Sequence, residues 1–449
     1  MIYFLISIIG ILLTVAIVIG IHEFSHFITA RMLGVKVLRF SIGFGKKLFS
    51  WRDKKDTEYV VALIPLGGYV KMLDEGEGDV SKHDLPFAYN RQPFYKKFLI
   101  VLAGPISNLI CAIFFYWLIF IIGFITPKPL IGKIDPGSIA AQAGLKANSE
   151  IIGIDTHETL LWPAIFLRIV AHAGDHDQLT ITVKQDHRIQ THTLNLANWV
   201  MDKLSPDPLG SLGLHPYTPP IPLIIGTMKQ NSPATLSKLQ INDKLIAINQ
   251  KKLKNWDELI KIIEAHPQKT LIFSIERQGK ILETPVKIGY QFSGFFQQEG
   301  FLGIGPQIKW PKDFFKTIQY GPGKALIKAW EEVVHFTYFN FMLIGKLVVG
   351  KISLQSLGGP ITIFESAGDA LNSGILSFLG FLAFISVSIG ILNLLPIPGL
   401  DGSHLFIQLI EASTGKALPE KFLIALYRLG FLFILFIMVQ AFINDILRL

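Results

Sequence analysis

The stretch Gly20-Ile21-His22-Glu23-Phe24-Ser25-His26-Phe27-Ile28 decides the fold. It sits inside an apolar run from Ile2 to Ala30 in which His22, Glu23 and His26 are the only acidic, basic or imidazole side chains. The run is long enough to cross a bilayer. Ionisable groups there cost on the order of 3 kcal/mol each unless they have partners, so they mark function by default. The spacing supplies the partner. On a helix, residues i and i+4 lie one turn apart on one face, where both imidazoles reach the same Zn²⁺. The intervening Glu23 projects beside the metal without ligating it, as a general base for water requires.

Composition agrees. Of 449 residues, 50% are hydrophobic and only 17% charged, with a mean hydropathy of +0.44. That is a multi-pass membrane protein with some soluble mass, too long for one domain. The net charge is +8, but the basic residues cluster between Arg31 and Lys97, beside membrane segments. They read as topology and lipid contact, with no nucleic-acid partner. The single cysteine, Cys111, lies in an apolar helix as a small hydrophobe, so neither a disulfide framework nor a Cys-rich zinc site is expected. The N-terminal run has no basic n-region and no A-x-A-like site, and reads as a retained helix.

Three further stretches are long enough to span: about Phe98–Ile125, Ile375–Leu395 and Phe422–Ile443. Residues 35–75 read as a membrane-associated hairpin-like sheet. Val35–Leu38 and Tyr59–Leu66 are β-prone, and Gly43, Gly45, Gly67 and Gly68 serve as turns or close-packing points. Residues 74–92 read as a surface loop. From Pro127 to Pro306 hydropathy falls, and Leu130–Asp155 aligns with Leu223–Asn249 as an internal repeat. Each copy runs strand, turn, short helix near Ser138 or Ser232, then a second strand. That pattern resembles a PDZ domain, here in tandem, with Pro206–Pro222 as the linker. Histidines 157, 172, 176, 187 and 192 lack zinc-site spacing and read as surface residues. Val333–Gly350 is apolar enough to mimic a span, but His335, Lys346 and the preceding Glu331-Glu332 favour an interfacial amphipathic helix.

A hydrolytic zinc site needs about three protein ligands and an open position. The best third ligand is Asp401, in Asn393-Leu-Leu-Pro-Ile-Pro-Gly-Leu-Asp-Gly402. Two prolines unwind this segment at the end of a span. By itself such an Asp-Gly is more often a turn than a ligand; depth shifts that balance. Arg31 marks the exit of the first helix, placing His26 roughly 7 Å and His22 roughly 13 Å inside. With four spans, the third ends on that same side and delivers Asp401 to the histidines. A fifth span at Val333–Gly350 would put it on the opposite face. The basic loop 31–97 makes the zinc side cytoplasmic and places 127–306 outside.

His22-Glu23-x-x-His26, Asn393-x-x-Pro396-x-Pro398-x-Leu400-Asp401-Gly402 and the two PDZ-like copies together resemble the site-2 protease family. Gly67-Gly68-Tyr69-Val70 and Gly104-Pro105-x-x-Asn108 add to the match. The resemblance implies a zinc-dependent intramembrane endopeptidase in a bacterial inner membrane, with a role in regulated proteolysis and envelope stress. Its substrates would be single-span membrane proteins, such as an anti-sigma factor already cut outside, or remnant signal peptides. His22, His26 and Asp401 would ligate Zn²⁺, Glu23 would be the base, and Asn393 would steady substrate or oxyanion. Substrate would unwind and lie along Gly67, Gly68 and Tyr69, and against Pro396 and Pro398. The glycine pair reads equally as strand-docking close approach or as a tight turn. The PDZ-like pair would bind peptide termini or, as the resemblance favours, filter for trimmed substrates.

The expected architecture is therefore an α-helical multi-pass membrane protein in five parts. Residues 1–126 hold spans one and two with the β-hairpin, 127–213 and 214–306 are PDZ-like α+β domains, 307–372 is interfacial, and 373–449 holds spans three and four. A scaffold that has lost catalysis and a metal transporter are the competing classes. Neither needs Glu23 beside the first histidine.

Overall fold

The computed structural model describes residues 2–448 except 79, 160, 176, 187, 202–206, 231, 294–296, 351, 355, 356 and 417. Helix α1 (Ile2–Met32) leads into strands β1 (Val37–Arg52) and β2 (Glu58–Met72), and α2 (Phe94–Ile122) follows. Both helices, with the later α9 (Ile375–Leu394) and α11 (Glu420–Arg448), are long and apolar enough to cross a membrane; four described helices meet that test. Helix α1 contains no proline and runs unbroken through Gly20 to its histidines, whereas α2 carries Pro105 internally. The chain is thus a multi-pass membrane protein.

The β1–β2 pair is antiparallel but folds back on itself. Phe40 faces Val70 on one flank and Tyr59 on the other, while Trp51, later in β1, also faces Tyr59. The ribbon therefore forms a small sheet whose outer segments are Lys47–Arg52 and Gly68–Met72. The strands extend well beyond the short runs expected from β-propensity. Gly67 and Gly68 lie inside β2, so the tight-turn reading of this pair is wrong. At Gly67 (φ +148°) a Cβ would stand 2.5 Å from the Phe44 ring, and at Gly68 2.7 Å from the Ser41 carbonyl oxygen. Close packing, not reversal of the chain, demands glycine here.

Strand β3 (Phe124–Pro127) leaves α2 and pairs with the late strand β18 (Phe315–Ile318), closing a neck on everything between. The first unit contains β4 (Ile131–Ile134), α3 (Ile139–Gln142), β5 (Glu150–Ile154), β6 (His157–Glu158), α4 (Trp162–Ala171), β7 (Gln178–Gln185), β8 (Arg188–Asn195), α5 (Pro208–Ser211) and β9 (Leu214–Pro216). The second contains β10 (Ile225–Met228), β11 (Lys244–Ile248), β12 (Lys251–Lys252), α6 (Trp256–Glu264), β13 (Thr270–Arg277), β14 (Lys280–Lys287), β15 (Gly289–Ser293), β16 (Gln297–Phe301) and β17 (Ile304–Pro306). Their sheets run β6-β5-β7-β8 and β12-β11-β13-β14, and β4–β9 matches β10–β17. The sequence repeat is a repeat of topology, and each copy buries its own apolar core.

Two expectations need correcting. The first unit does not end at residue 213: β9 (214–216) pairs with β4, and Asp207 caps α5, so the connection is shorter than Pro206–Pro222. In the second copy the helix expected after Ser232 is a run of turns. The Thr235 hydroxyl bonds the Ser232 carbonyl oxygen and amide, and such local bonds compete with a helical ladder. His176 and His187 lie outside the described residues.

After the neck, α7 (Pro322–Val348) packs against α2, with Val333 and Phe336 buried among the spans. It is not among the helices apolar enough to cross. Lys346, expected on a polar face, is buried instead: its Nζ donates to the Ala173 carbonyl and, at 2.6 Å, to Asp175 of the first unit. Helices α8 (Pro360–Asn372), α9 (Ile375–Leu394), α10 (Asp401–Thr414) and α11 (Glu420–Arg448) complete the chain. The exposed amides at the start of α8 are met by Asp445 of α11, which accepts from Gly359 N, Ile361 N, Thr362 N and the Thr362 hydroxyl.

Because the second unit has a separate core, damage to it should stay local. Phe273→Ala removes a fully buried ring and is expected to cost that unit about 3–5 kcal/mol. Hydrogen exchange across residues 225–306 should accelerate in the intact protein. Equal acceleration in α1 would show that the units and the membrane helices unfold together.

Candidate metal centre

Helix α1 presents His22 and His26 one turn apart, both buried, with ring centroids 4.8 Å from each other. Asp401 is the first residue of α10. Its Oδ2 lies 2.9 Å from His22 Nε2 and 3.3 Å from His26 Nε2, and the two Nε2 atoms are 3.2 Å apart. Donors about 2.0–2.1 Å from a tetrahedral zinc stand roughly 3.3 Å from one another, so these three atoms fit that ion. Among the described residues this is the one group of at least three such side chains whose ligand atoms converge.

Glycine makes the convergence possible. At Gly104 of α2 a Cβ would come within 2.3 Å of His26 Nε2 and 2.7 Å of His22 Cε1. The second helix therefore crosses the two imidazoles with bare backbone. One turn earlier, the Ile100 carbonyl lies 2.7 Å from His26 Nδ1. A ring proton on Nδ1 donates to it and leaves Nε2 free for a metal.

The same logic reaches His22 through Asn108, which is wholly buried. Its Nδ2 stands 3.2 Å from His22 Nδ1, while its Oδ1 is buried without a partner. With Nε2 engaged in the cluster, the neutral ring carries its proton on Nδ1, and two donors would meet. Turning the amide by half a rotation lets Oδ1 accept that proton and removes both conflicts. The sequence by itself assigns Asn108 no role. Its position on α2 beside Gly104, one turn apart, was the available signal.

Asp401 is delivered by a tight reversal after α9. A Cβ on Gly402 would lie 2.2 Å from the Leu395 carbonyl oxygen, and Gly399 takes φ +101°. Pro398 packs on α11, where a Cβ at Gly430 would come within 2.4 Å of its own. Pro396 is exposed. Asn393 sits in the last turn of α9, half-buried, and its side chain makes no hydrogen bond among the described residues. His404, one turn beyond Asp401, faces away toward Tyr427, 3.3 Å from its hydroxyl.

Glu23 stays outside the three-ligand group and in no ion pair among the described residues. Beside it runs β2: a Cβ on Gly68 would be 3.0 Å from Glu23 Cγ. Tyr69 is held by Arg39, 3.1 Å from its hydroxyl, and stacks on Phe44. The ribbon thus meets the Glu23 side chain at Gly68, whereas Gly67 packs on Phe44 and Tyr69 on Phe44 and Arg39.

Comparison with known proteins adds the chemistry. Residues 10–437 match the model of peptidase family M50. The regulator of sigma-E protease RseP of Escherichia coli is 38% identical over 453 residues, covering all of both chains. The regulator of sigma E protease of Salmonella typhimurium is 39% identical over 442 residues, 98% of each chain. A relative in Vibrio cholerae, whose name designates a zinc metalloprotease, is 37% identical over 445 residues and again 98% of each chain.

If Asn108 orients His22, Asn108→Ala should weaken zinc affinity by about 10–100-fold, read by competition with a chromogenic chelator. Unchanged affinity would mean that packing against Gly104 alone holds the ring.

Proposed function

The chain belongs to peptidase family M50 and is a zinc metallopeptidase, and from that premise we propose that it is an intramembrane endopeptidase cutting single-span membrane proteins. The carrying observation is the meeting of His22, His26 and Asp401, ligand atoms from segments 379 residues apart, between helices apolar enough to span. An enzyme displaces the scaffold and transporter readings.

In this reading His22 Nε2, His26 Nε2 and Asp401 Oδ2 hold the zinc. Zinc bound there supplies Lewis acidity, which brings the pKa of water toward ~7 and polarises a carbonyl. Glu23 takes a proton from the attacking water on its carboxylate and returns it to the leaving amine. Asn393 donates to the developing oxyanion from the end of α9. A substrate helix must first unwind, and its freed amides need partners in a dry medium. The outer β2 segment that begins at Gly68, beside Glu23, supplies them by strand addition. Pro398, packed on α11, and the exposed Pro396 offer apolar surface to the unwound substrate.

The two repeated units act as PDZ-like modules outside the membrane and the metal site lies toward the cytoplasm, as the basic loop 31–97 argues. They bind peptide termini or exclude substrates not yet trimmed. The site-2 protease resemblance, together with relatives named as regulators of sigma E, favours an anti-sigma factor already cut outside as the substrate, in an inner bacterial membrane.

Glu23→Gln should lower cleavage of a single-span substrate in vesicles by about 10²–10⁴-fold while one zinc per chain is retained. Wild-type cleavage by a zinc-loaded E23Q protein would end the proposal.

A further inference from the structure

A half-open cleft lies away from the metal, where the first unit meets α7 and the end of α2. It has two lobes, of about 390 Å³ and about 290 Å³, which share His157, Ala164, Arg168, Glu332 and His335. The smaller lobe reaches Phe120, near the end of the second span, and is rich in charge: Glu158, Lys328 and Glu331 line it. The larger runs along α7 past Leu167, Phe336, Phe339 and Met342. Phe336 itself belongs to the core formed by α2 and α9. The space is thus charged at the membrane edge and apolar beside the spans.

Its charges are incompletely used. Lys328 pairs with Glu331 at 2.7 Å. Among the described residues Arg168 and Glu332 make no hydrogen bond or ion pair, although both line the shared part of the space. Burial pushes the half-buried Glu332 carboxyl up, with Arg168 pulling it partly back, so an added cation would keep it ionised. Metal binding does not explain the cluster. His157 and His335 meet edge to face at 5.9 Å, but the converging ligand group among the described residues is the one at His22, His26 and Asp401.

We propose that this space binds the phosphoethanolamine group of a membrane phospholipid, with the phosphate on Arg168, the primary ammonium on Glu332 and an acyl chain along Phe336, Phe339 and Met342. A guanidinium fork matches phosphate oxygens. A primary ammonium has three donors for a carboxylate, and a quaternary one has none. The lining sets two cations, Arg168 and Lys328, against three carboxylates, Glu158, Glu331 and Glu332. That balance disfavours an anionic headgroup and suits a zwitterion. Lipid bound here would join the first unit to α7 at the membrane surface, and this assignment is independent of the peptidase chemistry.

The test uses the full chain, delipidated in detergent, with phosphatidylethanolamine, phosphatidylglycerol, phosphatidylcholine or soluble glycerophosphoethanolamine added. Bound lipid is counted by native mass spectrometry and the unfolding midpoint is followed. Phosphatidylethanolamine should bind at least tenfold more tightly than phosphatidylglycerol or phosphatidylcholine and raise the midpoint. Glu332→Gln should bring that preference to within twofold, and Arg168→Met should weaken every phospholipid. Ala164→Phe, which fills the space from α4, should abolish the effect with the lipid-free midpoint retained, so a loss cannot be laid to unfolding. Equal binding of ethanolamine and glycerol lipids by the wild type would overturn the assignment. So would a preference that survives both E332Q and A164F, or full stabilisation by glycerophosphoethanolamine alone, which would make the ligand a soluble ester.

Discussion

Two imidazoles and a carboxylate brought together between apolar helices face one governing constraint, the cost of taking polar groups out of water. Each lone pair and ring proton that is not aimed at the metal needs a partner in the same dry space. Around His22 and His26 that demand is answered at each Nδ1. Ile100 receives the Nδ1 proton of His26, and Asn108 stands at Nδ1 of His22. Gly104 lets the helix bearing both partners come close enough to supply them. The position of α2, and with it the neck that leads to the two repeated units, follows from this contact.

The same rule governs the helices that do not cross. Helix α8 would begin with bare amides, and Asp445 from the end of α11 accepts from three of them. That tie anchors α11, whose long surface otherwise exposes residues such as Phe431, Phe433 and Phe436. Lys346 would be an unpaired cation on α7, and the first unit supplies Ala173 and Asp175 to receive it. Buried polar groups thereby become the joints between membrane helices and the soluble units.

Much of this was legible in the chain. The four apolar stretches gave the spanning helices because length and hydropathy are local properties. The HExxH spacing gave the relation of His22 to His26 because one helical turn fixes it. Parity then placed Asp401 near them without any contact being known. Other features were not legible. Glycines 67 and 68 looked equally like a turn, since a lone sequence does not say whether a Cβ would meet Ser41, Phe44 or open solvent. Strand β9 was cut from the first unit because its partner β4 lies some eighty residues earlier. The contact of His157 with His335 was not legible either, because it forms only where α7 folds back on the first unit.

By itself, then, the sequence determined everything that depends on local periodicity and transfer free energy: the spans, the histidine pair with its adjacent glutamate, and the repeated soluble units. Tertiary structure alone decided which nonlocal groups complete them. Asp401 Oδ2 at 2.9 Å, the Asn108 amide on His22 and Gly68 against Glu23 are distances between segments far apart in the chain. Nothing local fixes such distances. They are set by how closely packed helices and strands approach, and here that approach is governed by where the chain has glycine in place of a side chain.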